Sequence, residues 1–409
     1  MDKQEFFKDA RQDLTGPLAG VKVLECTTTW AGPMGAVVLA DLGADVVKVE
    51  IPSGDVGRGI SPMLPDTEIG FAHATVNRNK RSLSLDTRTE EGREVFLALA
   101  KVSDILIENF KVGTMDRYRL GYEHIKEVKP DIVYVSVTGW GQYGPNAEAA
   151  GYDPLAQASS GFISMNGTPD GQPTKAATFL ADDLGGMHAA VGAMAALRHR
   201  DQTGEGQHVD VALLDSMLFQ SNGLLTLGAF GIEPTRMGNE FGFAVPANVF
   251  DCGEGGAVYV GVLLDSHWRI LTDILGEPDL AEHESFATGM DRAANRDICN
   301  MMVSAWLSER SRDEAIRIFR EHGLPIAPVQ KFTESAKDPH VLERDMLQDT
   351  KQHDGSMAPI TGPAAKFSRT PTRVRTGAPS LGEHTGEVLS ELGYDADAQT
   401  SLRDKGVVT

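Results

Sequence analysis

The sequence predicts an α/β protein: a large parallel-sheet domain followed by a smaller α+β domain. Two observations carry that reading. Strand-like and helix-like segments alternate regularly from residue 21 to residue 137, the rhythm of a parallel sheet covered by helices on both faces. Near residues 226–235 the texture changes to short strands and closely spaced helices, which marks a separate unit. In parallel sheets of this kind ligands bind in the loops at the carboxyl ends of the strands.

Residues 1–16 are charged and read as a loosely held extension. Val21–Glu25 is the first strand, its branched apolar residues alternating with charges. Gly32-Pro33 opens a helix that Gly43 ends, since proline suits a first helical turn and glycine the residue past the last. Ala44–Glu50 is the second strand. A helix near 90–102, a strand at Asp104–Glu108, a helix near 114–127 and a strand at Ile132–Val137 repeat the rhythm. A glycine-rich stretch, 139–175, leads into a long helix from about 183 to His199, and Thr203–Gln207 turns into another apolar segment. Beyond lie the strand Val258–Val262 and helices near 266–275, 291–308 and 312–322, the last broken by Gly323-Leu324-Pro325. The tail carries turns, short strands and a helix around 384–392. The expected organisation is therefore an extension (1–16), the large domain (17–200), a linker (201–225), the small domain (226–325), a second linker (326–350) and a return to the large domain (351–409).

Among 409 residues, 41% are apolar and 23% charged, which is globular composition. The 38 Lys plus Arg against 58 Asp plus Glu leave a net charge of −20, which argues against a general nucleic-acid binder. An anionic ligand stays possible, because a local basic pocket works inside an acidic protein. Cys26, Cys252 and Cys299 are far apart, so neither a disulfide framework nor a zinc ribbon is expected, and a reducing compartment fits best. The charged N-terminus lacks an apolar h-region, and Ser216–Ile232 is too short and polar to span a membrane. The expectation is a cytoplasmic protein.

Gly139-Trp140-Gly141-Gln142-Tyr143-Gly144 matches a dinucleotide-binding fingerprint literally, but Gly151 leaves little room for the helix such a site needs. A wide turn, or a close backbone approach to a ligand, explains it better. Asn77-Arg78-Asn79-Lys80-Arg81-Ser82 is either a solvated turn or an electrostatic seat for phosphates, with Lys111 and Arg117 as further cations. Asp182-Asp183 stands before a helix. One of the two suffices as an N-cap; a carboxylate there is expected to stay ionised and available as a nucleophile. Tyr152-Asp153 is a second acidic candidate in the glycine-rich loop. No G-x-S-x-G, H-E-x-x-H or Walker A motif is present.

Taken together, these stretches resemble the class III coenzyme A transferases (the CaiB/BaiF type), which include formyl-CoA and carnitine CoA transferases. The matching runs are Ala31-Gly32-Pro33, Leu39–Glu50, Asn77–Asp86, Glu108-Asn109-Phe110, Gly151-Tyr152-Asp153 with Gln157-Ala158, Thr203–Gln207 and Leu381–Thr385. They span Gly16 to Tyr394 in the family's order. The resemblance implies a large Rossmann-like domain, a smaller α+β domain and an interlocked homodimer, with connectors near 200–225 and 325–350. It implies CoA transfer from a donor acyl-CoA to a carboxylic acid, with acyl-CoA as substrate and no tightly bound cofactor or metal.

The family's nucleophilic aspartate lies four residues before the glycine of Gly186-Met187-His188, which designates Asp182 and leaves Asp183 as cap or bystander. Its carboxylate would form a mixed anhydride and then an aspartyl-CoA thioester, with oxyanion donors near Gly185-Gly186 or in the glycine loop. The resemblance places CoA contacts at Trp30, Ala31, Leu85 to Arg88, Asn109, Phe110, Lys111, Arg117, Ala150, Gly151, Tyr152 and Asp153. Ile51 replaces an arginine used near the adenine in some members, and Trp30 replaces a glutamine of the oxalate-handling ones. Gly238–Gly242 is a sparse counterpart of the mobile glycine tetrad. The alternatives are an α-methylacyl-CoA racemase-like isomerase and a non-catalytic CoA-binding protein. In the racemase a histidine stands at the position of Tyr152, and an ordinary phenol with a pKa of about 10 is a poor base at neutral pH.

Overall fold

Six parallel strands form the main sheet of the computed structural model, which describes residues 1–409. They are β1 (Lys22–Cys26), β2 (Asp45–Glu50), β3 (Lys80–Ser84), β4 (Ile105–Glu108), β5 (Val133–Thr138) and β6 (Gln207–Ala212). Their order is β3-β2-β1-β4-β5-β6, with every neighbouring pair parallel. The order reverses between β1 and β4, which makes their exits the natural ligand crevice. The helices among them are α1 (Ala31–Asp41), α2 (Phe71–Asn77), α3 (Glu90–Lys101), α4 (Thr114–Arg117), α5 (Tyr122–Val128), α6 (Asp153–Ser159), α7 (Leu180–Thr203), α8 (Leu213–Phe219) and α9 (Leu224–Ala229).

Alternate strand residues feed two cores, as the period-two geometry of a strand requires. Val23, Val46, Ile105 and Val133 face α1 and α7 through Ala36, Leu39, Ala189 and Ala193. Leu24, Val47, Leu106 and Tyr134 face the other way, onto Phe96, Leu99 and Ile125. Val388, Leu389 and Leu402 of the tail complete that second core.

The chain divides into two compact units. The first comprises Met1–Phe162, Lys175–Phe230 and His340–Thr409; the second comprises Ile163–Thr174 and Gly231–Pro339. In the second unit β7 (Ala247–Asp251), β8 (Ala257–Gly261) and β9 (Ile326–Pro328) form an antiparallel sheet. Its helices are α10 (Asp265–Leu275), α11 (Gly289–Ala294), α12 (Arg296–Ser308) and α13 (Arg312–Glu321), packed around Trp268, Val303, Leu307 and Phe319. The tail adds the hairpin β10 (Leu347–Lys351) and β11 (Met357–Thr361), then α14 (Thr385–Glu391) and α15 (Ala396–Asp404).

Several expectations change. Residues 201–225 are no linker: they hold the end of α7, all of β6 and α8, inside the first unit. The helix expected over 114–127 breaks in two, because Arg119 sits at φ 57° and Gly121 lies against Asp116. The extension at 1–16 is tied down, with Lys3 paired to Asp345 at 2.8 Å and the Arg11 N–H bonded to the Arg369 carbonyl.

The basic run is not a phosphate seat. Arg78 is bound to Asp41, and Arg81 to Asp45, Glu387 and Glu391 at 2.6–2.9 Å. Lys80 is buried, with its ammonium 2.7 Å from Glu25. Lys48, also buried, reaches Glu25 and Asp55, both at 3.1 Å. Burial opposes charge on both lysines. Glu25, Asp55 and Glu50 nonetheless raise the Lys48 pKa, whereas Lys80, beside Lys48, falls to about 8.

Candidate active site

The loop leaving β1, Thr27–Trp30, is clamped from two sides. Asn109, just past β4, accepts the Thr28 N–H and donates its amide to the Thr28 carbonyl, both at 2.8 Å. That bridge spans the point where the strand order reverses. Asp55 accepts from the Thr28 hydroxyl at 2.6 Å, the Thr29 N–H at 3.0 Å and the Gly57 N–H at 2.8 Å. Thr29 sits at φ 69°, a strained position for a β-branched residue, and these bonds hold it there. Asp55 is anchored in turn by Lys48, which keeps its carboxyl well below the usual range despite burial. The loop delivers Trp30 to the start of α1, where the N–H groups of Ala31 and Gly32 have no acceptor.

Facing this loop is the start of α7. No residue of the helix's own caps it; instead buried Asp153 does so from the first turn of α6. One Asp153 oxygen accepts the N–H of Ala181 at 2.7 Å and of Asp182 at 3.4 Å; the other accepts Gln157 Nε2 at 2.7 Å. Gln157, wholly buried, also takes the Ala176 N–H at 2.9 Å. Asp183 is neither cap nor bystander, for it accepts the Trp30 indole N–H at 2.7 Å.

Asp182, half-buried in the first turn of α7, has a carboxylate with no hydrogen-bond or ion-pair partner. The expectation of a fully ionised side chain is corrected. Burial first, then the charges of Asp153 and Asp183, push its pKa up to about 7. The helix N-terminus does not offset this, because Asp153 already occupies its N–H groups. Asp183 is raised too, by burial and by Asp153, against the opposing bond from Trp30.

Gly185 and Gly186 are helix interior rather than oxyanion donors. They let α7 press against its neighbours: a Cβ on Gly186 would lie 2.7 Å from the Met34 Cβ and 2.9 Å from the Ala31 carbonyl, and one on Gly185 would lie 2.4 Å from Leu213. Gly186→Ala gains about 1 kcal/mol of helix propensity. Its clash is with backbone and a Cβ, so overpacking of about 1–3 kcal/mol should win. Thermal unfolding should show a lower midpoint; a rise would contradict the close crossing.

The other expected contacts gather at strand exits but differ in availability. Lys111 and Arg117 are exposed on the β4 exit, Arg88 is exposed but bonded to Asp86, and Tyr152 is 69% exposed. Ala150 accepts the Trp140 indole N–H, and Gly151 packs against Gly139. Leu85, Asn109 and Asp153 are structural: Leu85 is core, Asn109 holds Thr28 and Asp153 holds α7. Phe110 packs partly against the second core. A cleft of about 860 Å³, lined by Asp45, Arg81, Lys351 and His384, opens near the starts of β2 and β3, away from these loops.

A family model described as CoA-transferase family III matches residues 18–385. The chain belongs to that family. Membership makes it a transferase acting on CoA thioesters, and the resemblance inferred from Ala31-Gly32-Pro33 to Thr385 holds over nearly its whole length. It is 37% identical to the succinyl-CoA:mesaconate CoA-transferase of Haloarcula hispanica, over 92% of this chain and 97% of that protein. It is 36% identical to the succinate–glutarate CoA-transferase of Agrobacterium fabrum, over 92% and 96%. A CaiB/BaiF family protein from Brucella suis superposes with a TM-score of 0.83 and 34% identity, covering 92% of this chain and all of that one. The Rossmann-like sheet with a smaller α+β unit is thus the family architecture.

Proposed function

We propose that the protein moves CoA from an acyl-CoA to a carboxylic acid through a covalent aspartyl-CoA formed on Asp182. The observation that supports this most is the unpartnered Asp182 carboxylate, held rigidly beside the strand exits. It attacks the donor thioester carbonyl, releasing CoA thiolate and forming a mixed anhydride. The thiolate attacks the aspartyl carbonyl, leaving aspartyl-CoA and the free donor acid. The acceptor carboxylate then displaces CoA from Asp182, and the returning thiolate cleaves the new anhydride at its acyl side, restoring Asp182. The uncommitted N–H groups of Ala31 and Gly32 are suitable donors for the oxyanions. Lys111 and Arg117 are the exposed cations of the β4 exit that suit the CoA phosphates, Arg88 being paired with Asp86, and Trp30, Ala31, Phe110 and Ala150–Tyr152 flank its path.

Incubation with acyl-CoA followed by hydroxylamine trapping should modify Asp182; modification elsewhere would sink the assignment. The first half-reaction should accelerate as pH rises through about 7, where Asp182 ionises. Asp183→Asn removes a neighbouring negative charge and should move that inflexion to lower pH. An unmoved profile would show that Asp183 does not act on Asp182.

An interlocked homodimer fits the uncovered Phe219, Leu225 and Phe230 around α8 and α9. No helix is long and apolar enough to cross a membrane. The three unpaired buried cysteines suit a cytoplasmic setting.

A further inference from the structure

Against Asp183, the neighbour of Asp182 in the chain, stands a small aromatic wall. The Trp30 ring meets the Phe179 ring edge-on, with centroids 4.9 Å apart, and the Phe71 ring lies 6.3 Å away on a tilt. Met34, Ile60, Ala72 and Val76 back this group. Trp30 is buried, and its single polar hydrogen is already given to Asp183. What the wall offers a ligand is therefore hydrocarbon surface. Phe179 is its open end: three residues before Asp182, it keeps 37% of its surface exposed at the start of the catalytic helix. An acyl group bound to Asp182 that covers such a ring gains the burial of apolar area.

The electrostatics point the same way. Asp153, Asp182 and Asp183 cluster at one helix end, and none of them is paired with a lysine, arginine or histidine. The nearby cations of the β1 loop are committed, Lys48 to Glu25 and Asp55, and Arg58 to Glu50. An acceptor must bring one carboxylate, which reacts. A second one would join an anionic cluster beside an apolar wall, with Lys48 and Arg58 already paired.

We propose that the carboxylic acid exchanged at this site is a monocarboxylic acid with an apolar branched or aryl body, in contrast to the dicarboxylic acids for which the mesaconate and glutarate relatives are named. The inference rests on the aspartyl-CoA reading and specifies its substrate class. Trp30, Phe71 and Phe179 are the specificity-determining residues.

The test uses the full-length protein with acetyl-CoA and butyryl-CoA as donors. Acceptors are phenylacetate and isovalerate against succinate and mesaconate, with acyl-CoA products quantified by mass spectrometry. The apolar acids should show a kcat/KM at least about tenfold higher. Trp30→Gln keeps a donor for Asp183 but removes the ring, and Phe179→Ser removes the open edge. Each should shrink the preference severalfold, chiefly through the KM of the acid, and Phe179→Ser should leave CoA binding unchanged. Equal or better use of succinate and mesaconate by the unaltered enzyme overturns the substrate class while leaving the transfer reading intact. Transfer to no acid of either kind overturns the transfer reading, and this inference with it. A preference that survives both substitutions unchanged removes the wall as its cause.

Discussion

Asp182→Asn should lower CoA transfer by at least about 10⁴-fold, because the covalent route loses its nucleophile and no neighbouring carboxylate is placed to replace it. Asp183 is bonded to Trp30 and Asp153 to the α7 N–H groups. CoA should still bind, since none of its expected contacts changes. The variant should also be more stable at high pH, and the sign follows from the raised pKa. Asp182 rises from 3.8 to about 7 on folding, so the folded protein holds that proton more tightly than the unfolded chain. The stability linked to it is fully present below about pH 4 and is lost as pH climbs through 7. At pH 8 the ionised carboxylate is a burden of, after discounting for partial exposure, on the order of 2 kcal/mol. Asparagine removes it. Unfolding curves of both proteins should coincide near pH 4 and separate by pH 8, with the variant higher. Equal stability at both values would mean that the site does not strain its own carboxylate.

The second large effect is structural and lies beneath the β1 loop. Glu25→Ala should destabilise the protein by about 3–5 kcal/mol, the cost of stranding buried charge. Glu25 is wholly buried and is the only carboxylate paired with Lys80, while Lys48 keeps Asp55. Burial already brings Lys80 to about 8, so without Glu25 it would shed its proton and leave a neutral amine with two carbonyl-type partners, Pro33 and Asn77. Transfer should suffer as well, because Glu25 also accepts the Thr27 hydroxyl at 2.6 Å and its loss frees the start of the β1 loop. Denaturant titration reads the first effect. A change below about 1 kcal/mol would show that the network relaxes easily once Glu25 is gone.

The strand–helix rhythm was legible because β1, β2, β4 and β5 are apolar enough to stand out locally, whereas β3, whose one apolar residue is Leu83, reads as a basic turn. β6 escaped because Gln207, His208 and Asp210 leave it half exposed, a pattern that reads as a polar connector. The designation of Asp182 rests on Gly186-Met187-His188, a purely local signature. What surrounds Asp182 was not, since its determinants come from far along the chain. Asp153 caps a helix 28 residues away, and Trp30 reaches across 153 residues to Asp183. The basic run was misread for the same reason: Arg81 meets Glu387 and Glu391 more than 300 residues later. A run of cations shows where charge is, but its neutralisation depends on tertiary partners that have no sequence spacing.

Between Phe162 and Lys175 the chain leaves the first unit and comes back. Both banks of that excursion are stitched by one short helix, Gln157 holding Ala176 and Asp153 holding Ala181 and Asp182. The stitching separates what the two units ask of this stretch. Residues 163–174 answer to the second unit, where the Arg236 guanidinium donates to the carbonyls of Thr168, Pro169 and Gly171. A change of sequence there that leaves those carbonyls in place falls on the second unit alone, while Asp153 and Gln157 keep Asp182 where it is.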